Sequence, residues 1–176
     1  NKDKYTITAG NIQVMVTRFA NTAVLDRFFE SVADYDPYKK MYQRYQKDIR
    51  ATARQFTPKS ELEDVLQAFV RVVQEDLIAK MVEALYRRMK SGKAEFEEKL
   101  LAALNQYLEA IGFYCRDELQ VGEIYQEKDL DDMDCVEENQ AQGKEQGEIL
   151  EIAAYPYYIN FIDKNGKRKK LHIKGM

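Results

Sequence analysis

The chain has little of what the commonest catalytic and structural sites are made from. In 176 residues it holds two cysteines, Cys115 and Cys135, and one histidine, His172. Two thiols exclude a disulfide scaffold and fit a reducing compartment, so a cytoplasmic location is expected, while one bridge between them stays open. No Gly-rich phosphate loop, HExxH helix or CxxC pair occurs, so none of the chemistries those motifs carry is written here. Apolar runs are too short to cross a bilayer and no signal segment is visible, so no membrane partner is expected. The three prolines, Pro37, Pro58 and Pro156, each stand where an element is expected to start or stop.

What is present is charge, and it is segregated. From Tyr38 to Lys59 there are seven Lys or Arg against one acid, Asp48. From Asp117 to Glu151 there are thirteen acids, offset by Lys128 and Lys144 alone. The tail from Lys164 to Lys174 is basic again. Such alternation suits contacts between segments or with a protein partner better than a nucleic-acid footprint, which needs one sustained basic face.

Apolar spacing predicts helices over the first two thirds of the chain. Ile12, Met15, Val16, Phe19, Val24, Phe28 and Val32 recur at helical intervals, so one helix is expected from Asn11, its cap, to about Ala33. A second should start at Pro37 or Tyr38, with Tyr38, Met41, Tyr42, Tyr45, Ile49, Ala53 and Phe56 on one side and the cations largely on the other. Nucleic acid stacking on those tyrosines is the weaker reading, because stacking rings and phosphate-binding cations should share a face. Ser60 and Glu63 have capping-box spacing and open a long helix whose stripe runs from Leu62 through Phe69, Val73, Leu77, Met81 and Leu85 to Met89. Ser91-Gly92 ends it. A further helix from about Lys93 to Ile111 closes an αα-hairpin at Gly112, where a cap needs positive φ. Val72, Ile78, Val82, Leu101 and Tyr107 lie off the main stripes, so they must pack on the earlier helices or on a second subunit.

Beyond Gly112 the period changes. Phe113 to Cys115, Gly122 to Tyr125 and Met133 to Val136 are short strand-like pieces, and Gly147 to Ile152 reads as a strand. Tyr155, Tyr157, Ile159 and Phe161 share one face of the next run. Asn165-Gly166 predicts a hairpin with a type I′ turn, returning through Leu171 and Ile173. Asp129, Asp131, Asp132 and Asp134 lack the glycine and terminal glutamate of a calcium loop and read as a solvated acidic loop. Either cysteine with His172 would supply a nucleophile and a base, but neither has recognisable flanks and His172 is expected as an exposed strand residue. No cofactor, metal or catalytic residue is assigned. The expected class is α+β: a helical region, residues 1–112, followed by a small antiparallel β-domain, residues 113–176.

The order of these pieces resembles the GrpE family of nucleotide-exchange co-chaperones. LLAALNQYLEAIGF is similar to the family's helix ending on a Gly, and Gly122-Glu123-Ile124-Tyr125 with DLDDMDCVEE resembles its acidic passage. Gly147 to Ile152, Tyr158, Asn165-Gly166 and the strand from Lys170 to Ile173 are similar to its last strands. The resemblance implies a homodimeric helical bundle and a β-domain that binds the nucleotide-binding domain of a DnaK-type chaperone and promotes ADP release. On that reading Tyr155, Tyr157, Asn165, Lys167, Arg168 and Lys170 are the expected contacts, since exposed aromatics and cations anchor interfaces. Two alternatives remain: a dimeric adaptor of an unrelated pathway, and a nucleic-acid accessory protein using helix 38–59.

Overall fold

Residues 7–8, 12–92, 95–124, 148–149 and 155–173 are described in the computed structural model. The chain is mainly helical, with a small three-stranded antiparallel sheet at its C-terminal end, which is the α+β class expected.

The first expected helix is two. α1 spans Ile12–Ala20 and α2 spans Ala23–Phe29. Between them the Asn21 side chain accepts the Ala23 amide at 3.3 Å, and Thr22 leaves helical geometry at φ −98°, ψ 19°. Short polar side chains compete with the helical ladder in this way, and here the competition wins. The break points Leu25 and Phe29 inward on a new axis, while Val16, Phe28 and Val32 are half-buried.

α3, Pro37–Ala53, starts where proline predicts. Asp36 caps it, accepting the amides of Tyr38 at 2.8 Å and Lys39 at 3.4 Å, and Pro37 fills the first helical position, where its missing N–H costs nothing. Tyr42, Tyr45, Ile49 and Thr52 face inward.

The expected capping box is not formed. Ser60 Oγ accepts the Thr57 amide at 3.0 Å, so its hydroxyl belongs to the Thr57–Ser60 turn; Glu61 becomes the N-cap with no side-chain bond, and α4 spans Leu62–Val72. The helix then widens into a π-helical stretch, Val73–Val82, before α5, Glu83–Lys90. Phe69, Val73, Leu77, Met81 and Leu85 are spaced by four. In an α-helix of 3.6 residues per turn that spacing drifts by about 40° per step. The i→i+5 bonds of a π-turn hold the row on one face, and all five residues are at most 1% exposed.

α6, Glu95–Ile111, starts antiparallel to α5, with Arg88 Nε 3.7 Å from Glu97, and then runs along α2 and α1. α3 covers the π-helical stretch. Ile78, Val82 and Tyr107 are buried within this one chain, and Val72 and Leu101 pack against the same core. At the centre the Phe19 ring stacks on Phe69 at 4.4 Å and meets the edge of Phe113 at 5.9 Å.

Gly112 ends α6 at φ +124°, a left-handed conformation that an L side chain resists. The Phe113 amide reaches back to Leu108 O and the Gly112 amide to Glu109 O, both at 3.1 Å, the paired bonds of a Schellman motif. The chain passes at once into β1, Tyr114–Cys115, which pairs with β2, Tyr157–Ile162; β3, Arg168–Ile173, pairs with the other edge of β2. Ile7 continues the β1 side of β2 through a parallel bridge to Phe161. Tyr157, Ile159, Phe161 and Ile173 join the helical residues in one core.

The hairpin turn differs from the expected type. Asp163 O accepts the Gly166 amide at 3.0 Å, Gly166 alone in the turn has positive φ, +77°, and Asp163 pairs with Lys167. This is a type I turn closed by a left-handed glycine, giving a three-residue loop. Asp163 selects it: Oδ1 accepts the amides of both Asn165 and Lys167 at 2.9 Å.

Candidate functional site

Strand pairing sorts the hairpin residues onto two faces. Cys115, Tyr157 and Ile173 form one row across the sheet, turned toward the helices. Tyr114, Tyr158 and His172 form the next row, turned outward. Tyr157 is therefore a core residue at 6% exposure, next to the Cys115 thiol, and does not present the exposed ring for which the sequence singled it out. The alternation that grouped it with Ile159 and Phe161 was sound; which face is inner follows from the helices packed beneath.

The other candidates lie on the surface. Arg168 and Lys170 project from the outer face of β3, Lys167 and Asn165 from the loop, and Tyr155 from the chain just before β2. Tyr155 and Asn165 stand at opposite ends of β2, roughly 20 Å apart by strand rise. The candidates thus divide into a cationic group along β3 with the turn, and a separate aromatic.

Sequence reasoning missed the centre of this surface, Tyr158. Its ring stacks on Tyr114 at 5.2 Å, approaches His172 at 6.4 Å and lies under Lys170 Nζ at 4.6 Å. It is 6% exposed although it faces away from the helices. A cation over a ring is favourable by about 0.5–1 kcal/mol at such sites and fixes the lysine's direction. Alternation separates Tyr158 from Tyr157, but which face is outer, and the row Tyr158 forms there, depend on the packed helices and on the register of three strands.

Lys169, on the inner side of β3, fastens the hairpin to the first turn of α4. Its Nζ is 3.3 Å from Glu63 and 3.4 Å from Asp163. Glu63 first, and Asp163 after it, raise the Lys169 ammonium above its ordinary range, whereas the Lys167 amide holds the Asp163 carboxyl low.

The sequence candidates for chemistry separate on the same geometry. Cys115 faces inward and His172 outward, so they make no nucleophile–base pair. Burial pushes the Cys115 thiol up to about 11, the reverse of an activated thiolate. Asp129, Asp131, Asp132, Asp134 and Cys135 lie outside the described residues. The ends of the acidic passage do meet: Ile124 bridges Glu148, the Gly122 amide donates to Ile149 O at 2.8 Å, and the Ile149 amide to Glu123 O at 2.9 Å.

On α3, Tyr42 and Tyr45 point inward, and Lys40, Arg44, Lys47, Arg50 and Arg54 lie exposed on the opposite side. The rings and cations therefore do not share a face, as stacked nucleic acid would need. No family model, curated protein or solved structure matches the chain.

Proposed function

We propose that the chain is a GrpE-like exchange factor that binds the nucleotide-binding domain of a DnaK-type chaperone through the outer face of its hairpin. The observation that carries this reading is the joining of the elements. A helix pair closes on Gly112, a short strand follows, the ends of an acidic passage pair, and an antiparallel hairpin displays cations. This is the order that the sequence resemblance implies. Arg168 and Lys170 form the centre of the contact around Tyr158, with Lys167 and Asn165 at its tip and Tyr155 at its far end. A positively charged strip suits an acidic surface on the partner and speeds encounter.

The mechanism is differential binding. A protein that holds the open nucleotide cleft more tightly than the closed one shifts the population toward open, and ADP leaves faster without any bond being made. Moving a closed-favouring equilibrium from 1:99 to 99:1 needs about 10⁴-fold preference for the open form. The apolar residues that would have asked for a second subunit are covered within the chain.

The test is release of a fluorescent ADP from a DnaK-type protein. Acceleration by the wild-type chain, lost in the Lys167→Glu/Arg168→Glu/Lys170→Glu variant at an unchanged unfolding midpoint, supports the reading. A release rate that stays flat with every DnaK-type protein tried overturns it. Binding without faster release points to the adaptor function instead.

A further inference from the structure

Two buried side-chain oxygens among the described residues have no hydrogen-bond partner, Asp76 Oδ2 and Asn105 Oδ1, and the first is ionisable. Asp76 belongs to the π-helical stretch and is 6% exposed. Its Oδ1 is 3.9 Å from Lys80 Nζ, the limit of an ion pair. Across the seam, α3 brings the half-buried Asp48 within hydrogen-bonding reach. The cation belonging to Asp48, Arg44, stands back at 4.0 Å. Each helix thus carries an i,i+4 ion pair, and the two pairs meet carboxyl to carboxyl with their cations at the outer ends.

The remaining polar neighbour does not relieve this arrangement. Tyr45 is the α3 residue beside Asp76, but its hydroxyl is bonded to Tyr107 Oη at 2.5 Å. Tyr107 in turn donates to Phe19 O at 2.6 Å, so the Tyr45 proton is directed at Tyr107. Two ionised carboxylates here would repel each other and leave Oδ2 without a donor. One proton between them removes both penalties, because it neutralises the repulsion and makes one carboxyl a donor to the other.

We infer that Asp48 and Asp76 share a single proton across the seam between α3 and the π-helical stretch, and that losing it loosens this seam. Burial, and after it Asp48, hold the Asp76 carboxyl up at about 6, against the pull of Lys80 and Arg44. The π-helical geometry makes the coupling local. Wide turns are rare and occur mostly at functional positions, and this one sets Asp76 among the buried residues of its row. The inference does not depend on the proposed partner.

The experiment follows the ¹³C carboxyl shifts of Asp48 and Asp76 in the full chain from about pH 3 to 8. A shared proton gives one step near pH 6 sensed at both carbons and a separate second step at lower pH, the signature of coupled sites. Two independent steps, both in the ordinary carboxylate range of about 4, overturn the inference. Asp76→Asn and Asp48→Asn supply the second readout. Each should leave the thermal midpoint within a degree or so at pH 5 and raise it by roughly 4–8 °C at pH 8. A midpoint lowered equally at both values overturns it as well.

Discussion

α3 meets one carboxylate on its α2 side and another on the side of the π-helical stretch, and the surroundings of the two are opposite. On the α2 side, Asp26 accepts from Tyr42 Oη, from Gln46 Nε2 at 2.6 Å and from Thr22 Oγ1 at 3.3 Å. On the other side, Asp76 has a distant lysine and a second carboxyl. Depth and neighbours act together, since the more deeply buried of the two also has the fewer donors. With its donors in place, a carboxylate ties two helices together at any pH above its own titration. Without them, its charge opposes packing and its protonation decides the outcome.

The sharpest break of this contrast is Asp26→Ala, which removes the charged acceptor shared by Tyr42 Oη and Gln46 Nε2 and leaves them only the longer bonds to Thr22 O at 3.2 Å and to Tyr42 Oη at 3.1 Å. A loss of about 2–3 kcal/mol is expected in urea unfolding at pH 7. Next is the pH profile of the wild-type chain. Asp76 is raised from 3.8 to about 6, so the folded state binds more protons than the unfolded state between those values. Its contribution is fully present below about pH 4 and is lost as pH rises through about 6, a fall of roughly 2–3 kcal/mol that urea midpoints at successive pH values will read. Asp26→Ala should shift that profile down without changing its slope. Smaller again is Tyr107→Phe, which removes the donor to Phe19 O and the acceptor of Tyr45. It should cost about 1–2 kcal/mol at both ends of the range. Smallest is Lys169→Ala, which cuts the exposed link from β3 to Glu63. Its effect should be small and nearly lost in high salt.

The parts of the fold legible in the sequence were those decided within a few residues. Asp36-Pro37 fixes a helix start by capping and by a locked φ, and Gly112 fixes an end through the one conformation that closes its carbonyls. The hairpin was visible in alternation and in Asn165-Gly166, but its turn type was not. Asp163, one residue outside the usual pair, determines it. Ser60 and Thr22 show the same limit in helices, because a hydroxyl has several candidate partners and the three-dimensional context selects one, the Thr57 amide for Ser60 and the Asp26 carboxylate for Thr22. The π-helical stretch had a signal that passes as ordinary periodicity: a spacing of four held from Phe69 to Leu85 is too long for an α-helical stripe. Of the surface candidates, Arg168 and Lys170 could be placed by alternation. Tyr157 could not, since strand period names two faces without saying which one the helices cover. Asp48 with Asp76 was out of reach, because no local pattern announces a contact between charges 28 residues apart.

The bridge from Ile7 to Phe161 sets an order in time. Ile7 is 3% exposed, and its backbone bonds go to Asn160 and Ile162. Between residues 7 and 161 lie 154 steps of synthesis, roughly 8–30 s at 5–20 residues per second. Throughout that interval Ile7 lacks its strand partner, however soon the helices between them have formed. This edge of the sheet therefore closes only after residue 161 has been made, by residues from opposite ends of the described chain.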